Sequence, residues 1–118
     1  MNEGCSVKVK VTIHKDESFF GPGIVTLLKL IDQTGSVKLA CREMGLSYSK
    51  AWTIINRAED QFGYALIARS QGGTKGGGAS LTEKGRLAID KYDRLEESVR
   101  TYARKTFEDI FLTDSAGE

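Results

Sequence analysis

The spacing of apolar residues changes along the chain and predicts where a strand gives way to helices. Residues 7–14 alternate apolar and polar side chains, which predicts a strand with one buried face. Beyond residue 20, apolar side chains recur every three or four positions, the period of amphipathic helices. The strand residues predicted to face inward are Val7, Val9, Val11 and Ile13.

Residues that favour helix ends divide the second region into three helices. The first covers residues 22–34, the second runs from its cap Ser36 to Gly45, and the third from its cap Ser47 to Gly63. Two short helices joined by a tight glycine-containing turn predict a helix-turn-helix. The predicted apolar faces are Ile24, Leu27, Leu28 and Ile31, then Val37, Leu39, Ala40 and Met44, then Ala51, Ile54 or Ile55, Ala58 and Phe62.

A glycine-rich hairpin is predicted directly after the third helix. Residues 64–70 can form one strand and residues 79–81 the return strand, while residues 71–78 are too rich in glycine for a regular element. A flexible hairpin in this position is typical of the wing of a winged helix-turn-helix.

The last predicted helix extends from its cap Thr82 to about Phe111. Its apolar residues alternate steps of four and three, which is the spacing of a coiled-coil seam. A helix roughly 45 Å long, at 1.5 Å per residue, cannot be covered by so small a domain alone. We therefore predict a homodimer whose seam contains Ala88, Tyr92, Leu95, Val99 and Tyr102.

Charge is distributed unevenly along a chain whose net charge is only +1. Residues 34–87 carry eight basic and four acidic groups, whereas residues 88–118 carry five basic and eight acidic groups. A cationic middle segment that coincides with the helix-turn-helix is consistent with a nucleic-acid-binding face. An excess of four positive charges does not by itself distinguish such a face from an ordinary solvated surface.

The third helix is the expected recognition helix, because the second helix of a helix-turn-helix enters the major groove of DNA. Its early side chains would contact base edges or phosphates, while Arg69 and Lys75 of the wing would contact phosphates or the minor groove. Trp52 lies beside the apolar stripe and is interpreted mainly as a packing residue. The candidate DNA-binding residues are Ser47, Tyr48, Ser49, Lys50, Thr53, Arg57, Arg69 and Lys75.

Enzymatic and cofactor-dependent functions find no support in the sequence. No catalytic constellation or metal-ligand cluster is present, and Lys75 is followed by Gly76 rather than by the Ser or Thr of a phosphate-binding loop. Cys5 and Cys41 suggest neither a disulfide framework nor a metal site, and Cys41 is expected to be a buried filler. No apolar run approaches the roughly 20 residues that span a bilayer, so we expect a cytoplasmic protein without cofactors.

Several motifs together resemble a known family of regulators. The segments Gly45-Leu46-Ser47-Tyr48-Ser49-Lys50-Ala51-Trp52, Gly72-Gly73-Thr74-Lys75-Gly76-Gly77-Gly78-Ala79 and Leu81-Thr82-Glu83-Lys84-Gly85 resemble the DNA-binding domain of ModE-type, molybdate-responsive regulators. The Leu-Thr-x-x-Gly element also occurs in LysR-type regulators. The resemblance implies a winged helix-turn-helix homodimer that binds operator DNA. Because the matching motifs end before a molybdate-binding domain could begin, no molybdate binding is expected.

These observations predict a mainly α-helical fold with a small β-sheet wing and a long C-terminal dimerisation helix. Residues 1–80 would form the DNA-binding domain with an N-terminal strand, residues 81–112 the dimerisation helix, and residues 113–118 a flexible tail. The predicted function is transcriptional regulation through double-stranded DNA. The alternative is a winged-helix module that binds another protein instead of DNA.

Overall fold

Four helices and two β-hairpins form the computed structural model, which describes residues 4–70 and 78–112. The mainly helical fold with small two-stranded sheets confirms the predicted fold class. In chain order the elements are β1 (Ile13–His14), β2 (Ser18–Phe20), α1 (Pro22–Thr34), α2 (Val37–Met44), α3 (Tyr48–Phe62), β3 (Ile67–Ser70), β4 (Gly78–Leu81) and α4 (Glu83–Phe107), which continues into a π-helical turn (Glu108–Leu112).

The helix ends confirm the boundaries predicted for the helix-turn-helix. The side chain of Ser36 accepts a hydrogen bond from the Leu39 N–H, and that of Ser47 accepts one from the Lys50 N–H, both at 3.1 Å. Gly45 ends α2 in the left-handed conformation with φ 67°, which a residue with a Cβ adopts only with strain. The turn between α2 and α3 is therefore encoded locally by a glycine and a serine.

Helix α1 forms the centre of the core, and its predicted apolar face is confirmed. Phe20 connects this core to its neighbours through edge-on aromatic contacts with Phe62 of α3 and Tyr92 of α4. Cys41 is buried, as expected of a small filler. The fully enclosed side chains, Phe20, Leu27, Leu28, Ile31, Ile55 and Leu66, come from the β1–β2 hairpin, α1, α3 and the start of the wing.

The N-terminal strand is much shorter than predicted. Only Ile13–His14 is a strand, paired antiparallel with Ser18–Phe20, and Val9 is exposed. Alternation indicates that a segment could have one buried face, but a strand also needs a neighbouring strand to bond its backbone. Val11 and Ile13 do pack against the core, and the Val11 carbonyl accepts a hydrogen bond from the Tyr92 hydroxyl at 2.7 Å.

Leu39 was wrongly assigned to the apolar face of α2. The residues of α2 that are buried are Val37, Ala40 and Cys41, while Leu39 is exposed. At 100° per residue Leu39 points about 200° away from Val37, which places it on the opposite side of this helix.

The wing is confirmed as an antiparallel hairpin whose base is joined to the helices. Its strands pair Ile67 with Leu81 and Arg69 with Ala79, and the Ala79 N–H donates to the Gly35 carbonyl at 2.9 Å. The Glu59 carboxylate of α3 accepts hydrogen bonds from the backbone N–H groups of Leu66 and Ile67. The predicted tip, residues 71–77 with Lys75, lies outside the described residues.

Helix α4 begins against the wing and then leaves the body of the domain. Thr82 caps it by accepting from the Gly85 N–H at 2.8 Å, and a Cβ at Gly85 would lie 2.4 Å from the Leu66 carbonyl oxygen. With the π-helical turn, the helix continues for 30 residues to Leu112, as its periodicity predicted. Within the described chain, neither α4 nor any other helix combines the length and apolar character required to cross a bilayer.

Candidate nucleic-acid interface

The outward face of α3 presents a row of polar side chains. Ala51, Ile55 and Ala58 of this helix are buried in the core, so residues on the opposite side project away from the domain. At 100° per residue, Ser49 and Thr53 lie on that side and Lys50 and Arg57 lie along its edge. All four are exposed, so four of the predicted DNA-binding residues share one accessible surface.

Lys50 and Arg57 are the two cations on this surface, but their surroundings differ. Lys50 forms no ion pair within residues 4–70 and 78–112, so its ammonium group is available to an external acceptor. The Arg57 guanidinium lies 3.6 Å from a carboxylate oxygen of Glu17 in the β1–β2 turn. To contact a DNA phosphate, Arg57 would have to leave Glu17 or bind both groups at once.

The hydroxyl groups at the start of α3 are partly committed to the helix backbone. Ser47 uses its oxygen as the helix cap, and Thr53 donates its hydroxyl hydrogen to the Ser49 carbonyl at 3.0 Å. Thr53 therefore presents a methyl group and an acceptor to its surroundings. Ser49 has no such side-chain bond among the described contacts and retains a donor and an acceptor, whereas Tyr48 is 50% exposed at the beginning of the helix.

Asn56 belongs to the same surface and was missed from the sequence. It is exposed and lies one turn beyond Thr53, on the side of α3 that faces away from the core. A primary amide can donate to and accept from the edge of adenine at once, which makes Asn an informative residue in a recognition helix. The signal was available, because a helical projection of residues 48–62 places Asn56 beside Ser49 and Thr53.

Trp52 joins α3 to the wing. The Arg69 guanidinium of β3 lies over the Trp52 ring at 4.0 Å from its centroid, and the Tyr48 ring meets Trp52 edge-on at 6.3 Å. Trp52 also packs against the core, which confirms the packing interpretation. The structure thus brings Arg69, one of the two predicted wing residues, beside α3, the predicted recognition helix.

The predicted dimerisation seam divides into a buried part and an exposed part. Ala88 and Tyr92 are enclosed by their own chain, so they are not free to contact a second subunit. Burial also raises the pKa of the Tyr92 hydroxyl, with smaller contributions from Glu96 and Asp93. Leu95 is 44% exposed, Val99 is half-buried and Tyr102 is exposed, so of the five predicted seam residues these three leave apolar surface in water.

A groove of about 590 Å³ lies between α1 and α4 and carries mainly paired charges. Arg86 donates two hydrogen bonds of 2.8 Å to Asp32, and this contact lowers the pKa of the Asp32 carboxyl. Lys29 pairs with Asp93 at 3.0 Å, and Asp90 lies at the same groove. Across the described ranges, no three His, Cys, Asp or Glu side chains are placed to hold a metal ion.

A model of a known protein family matches the part of the chain that contains the helix-turn-helix and the wing. The family model of bacterial regulatory helix-turn-helix proteins of the lysR family matches residues 25–86, which is more than half of the chain. The chain belongs to this lysR-type family. The matched residues extend from α1 through the helix-turn-helix and the wing to the first turn of α4. The family model describes regulatory helix-turn-helix proteins, in agreement with the non-enzymatic, DNA-binding class that the sequence predicts.

Curated relatives of this lysR-type chain are ModE regulators and a molybdenum-pterin-binding protein, in agreement with the resemblance. The DNA-binding transcriptional dual regulator ModE of Escherichia coli K12 is 34% identical over 91 residues, covering 76% of this chain and 35% of the relative. The transcriptional regulator ModE of Yersinia pestis is 37% identical over 104 residues, covering 87% and 38%. The molybdenum-pterin-binding protein MopB of Rhodobacter capsulatus is 35% identical over 89 residues, covering 75% and 33%. The chain thus spans between 33% and 38% of the length of these relatives.

Proposed function

We propose that this chain regulates transcription by binding operator DNA as a homodimer, with α3 in the major groove. The observation that carries the proposal is the outward face of α3, where Ser49, Lys50, Thr53 and Asn56 are exposed together on a helix fixed by its opposite face. A helix is the element whose width fits the major groove, and these side chains can donate to or accept from base edges.

The proposed contacts divide into base recognition and phosphate binding. Lys50 lies in the first turn of α3 and would donate to guanine, while Ser49, Thr53 and Asn56 would meet neighbouring base edges. Tyr48 and Arg57 lie nearer the borders of this surface and would contact phosphates, with Ser47 at the helix start beside them. Arg69 and Lys75 of the wing would bind flanking phosphates or the minor groove.

The exposed half of the α4 seam supports the homodimer. Leu95, Val99 and Tyr102 follow one another at coiled-coil spacing beyond the point where the domain body covers the helix. A second copy of the same helix would remove this stripe from water in a two-fold symmetric contact. Two recognition helices held in this way would read two half-sites. A protein that binds bacterial DNA acts in the cytoplasm, which is the location we propose.

Molybdate binding by the 118-residue chain itself is not part of the proposal. The groove between α1 and α4 contains the carboxylates of Asp32, Asp90 and Asp93, which repel an oxyanion, and its cations Lys29 and Arg86 are already paired. We therefore expect isothermal titration calorimetry to show no micromolar binding of molybdate or tungstate. A stoichiometric micromolar signal would contradict this expectation.

Selection of bound duplexes from a random DNA pool tests the proposed function. We expect enrichment of a two-fold symmetric sequence whose affinity falls steeply with salt, because phosphate contacts release counterions. Lys50→Ala should weaken binding by about 1–3 kcal/mol and relax preference at one position in each half-site. Lys75→Ala should instead weaken binding to all sequences alike and lower the salt slope by about one unit.

Lys91→Ala is a matched control, because Lys91 is an exposed lysine of α4 away from the recognition helix. It should leave the affinity for the selected duplex unchanged. If wild type shows no salt-dependent affinity for any duplex, the DNA proposal is wrong and a protein-binding module becomes the better interpretation. If Lys50→Ala and Lys75→Ala both bind like wild type, the DNA face has been placed wrongly.

A further inference from the structure

The contact between Trp52 and Arg69 joins the two elements that the proposed function brings to DNA. The guanidinium carbon lies 4.0 Å from the ring centroid, which is close enough for a cation–π interaction. Tyr48 packs edge-on against the same indole from one turn earlier in α3. An aromatic pair of the recognition helix thus supports a cation of the wing.

The register of the hairpin explains why Arg69 reaches α3. Side chains of a strand alternate between the two faces, so Arg69 shares a face with Ile67, and its partner Ala79 shares a face with Leu81. Ile67 is buried in the core, and Ala79 and Leu81 pack against it. Arg69 therefore occupies the outer end of the inner face, where Trp52 rather than water lies beneath it.

The contact with Trp52 leaves the Arg69 guanidinium with hydrogen-bonding capacity. Stacking on an aromatic ring uses the face of a guanidinium and leaves the donors in its plane free. Arg69 has no ion pair with the acidic groups in the described ranges, unlike Arg57, Arg86, Arg94 and Arg100. Its N–H groups therefore have no carboxylate partner among the described residues.

Trp52 is not fully satisfied in this position. Its Nε1 is shielded from solvent and has no hydrogen-bond partner among the described residues, which lowers stability relative to a purely apolar ring of similar size. A purely apolar ring of similar size would be sufficient if Trp52 only packed against its neighbours. The cation–π contact is the additional interaction that an indole makes best.

We propose that Trp52 is a positioning residue that orients the Arg69 guanidinium toward a DNA phosphate at the base of the wing. This inference rests on the proposed function, because it concerns how one DNA contact is arranged. Without the ring, Arg69 keeps its charge but must give up side-chain freedom each time it binds a phosphate. The contribution of Arg69 to affinity should therefore depend on Trp52.

A double-mutant cycle on the selected duplex tests this dependence. Arg69→Ala should weaken binding about tenfold in wild type, as expected for one charge-assisted contact, and by less than about twofold in the Trp52→Leu background. Each single variant should lower the salt slope by about one unit, and the double variant should lower it no further. Trp52→Phe should retain part of the coupling, because phenylalanine binds cations more weakly than tryptophan.

Lys50→Ala serves as the matched control in the same background, because among the described residues Lys50 forms no cation–π contact with Trp52. Its effect should be equal in wild type and in Trp52→Leu. If Arg69→Ala weakens binding by the same factor in wild type and in Trp52→Leu, the two residues act independently. Trp52 then only packs, and the inference is wrong. If Trp52→Leu does not fold, the cycle with Trp52→Phe decides, with partial coupling expected and independence contradicting it.

Fluorescence tests the stack without DNA, since Trp52 is the only tryptophan of the chain. Arg69→Ala should make the Trp52 emission more accessible to acrylamide, whereas Lys50→Ala should not. Equal quenching of wild type and Arg69→Ala would overturn the inference. A wild-type protein that binds no duplex would overturn the proposed function as well, whereas binding with an uncoupled cycle would overturn this inference alone.

Discussion

The two halves of α4 have the same apolar spacing but different surroundings. In the first half, Ala88, Ile89 and Tyr92 are buried in the core, where Tyr92 contacts Phe20 and the Val11 carbonyl. Ten residues beyond Tyr92, which is 4% exposed, the corresponding aromatic Tyr102 is 74% exposed. The spacing of apolar residues thus identifies the face of a helix that needs cover, but it does not identify what covers it.

The charged residues of α4 follow the same division. In the first half, Arg86 pairs with Asp32 and Asp93 pairs with Lys29, so both ion pairs join α4 to α1. Further along, Arg94 pairs with Asp90 and Arg100 with Glu96, one turn apart on the helix itself. Pairs within one helix support that helix but bind it to nothing else. The first half is therefore part of the domain, and the second half extends from it.

Substitution of the two tyrosines provides the largest expected contrast. Tyr92→Ala should lower the free energy of unfolding by about 3–5 kcal/mol, because it removes a buried aromatic ring. Tyr102→Ala should change it by less than about 0.5 kcal/mol. Urea unfolding followed by circular dichroism, in a Leu95→Glu, Val99→Glu background chosen to disrupt the proposed dimer, would measure both values. Equal losses would contradict the division of α4.

Gly85 tests how closely the first half of α4 packs, and Gly23 of α1 provides the comparison. Gly85→Ala should destabilise the protein by about 1–3 kcal/mol, because the new Cβ would meet the Leu66 carbonyl oxygen at 2.4 Å. Gly23→Ala is the matched control, since Gly23 lies in α1 with no atom within 4 Å of an added Cβ. Alanine there should stabilise the helix by about 0.5–1 kcal/mol. A neutral Gly85→Ala would show that α4 does not approach the wing so closely.

The hydroxyl of Tyr92 tests the contact between α4 and the N-terminal segment. Tyr92→Phe should cost about 1 kcal/mol, because the Val11 carbonyl loses its donor while the ring stays in place. Thermal unfolding of Tyr92→Phe and of Tyr102→Phe, whose hydroxyl has no such bond in the described structure, would separate this effect. If the two variants have the same melting temperature, the hydrogen bond from Tyr92 does not hold the segment at Val11 against α4.

The Arg86–Asp32 pair should produce the smallest effect, with a defined pH dependence. Arg86 lowers the pKa of Asp32 in the folded state, so the pair stabilises the fold above the ordinary aspartate pKa of about 3.9 and loses this contribution as the pH falls through the lowered folded value. Asp32→Asn should cost about 0.5–1 kcal/mol at pH 7 and less in strong acid. Unfolding at pH 7 and pH 3 checks this, and a cost that increases in acid would contradict the sign.

Local rules were sufficient for most of the fold. The serine caps, the glycine stops and the period of α1 and α3 depend on near neighbours in the chain, and these predictions were confirmed. The strand over residues 7–14 failed beyond Ile13–His14 because pairing requires a second strand, which alternation does not reveal. The burial of Ala88 and Tyr92 depends on contacts with distant segments, such as the bond from Tyr92 to Val11.

The candidate site was predictable as a surface but not as a set of interactions. The projection of α3 predicts that Ser49, Lys50 and Thr53 are exposed, and they are. It cannot show that Arg57 meets Glu17 or that Arg69 stacks on Trp52, since each contact joins elements separated in sequence. For Asn56, the helical projection of α3 was sufficient to predict its exposure beside Ser49 and Thr53, but Asn56 was not among the predicted residues.

Sedimentation of the protein with a labelled duplex that carries two half-sites tests the central claim most directly. We predict that wild type is a dimer at tens of micromolar, as expected for a dissociation constant of about 1 μM or below, and that two protomers bind each duplex. The folded Leu95→Glu, Val99→Glu variant should be a monomer with weaker, single-protomer binding. A monomeric wild type, or a variant that dimerises and binds as wild type does, would contradict the account.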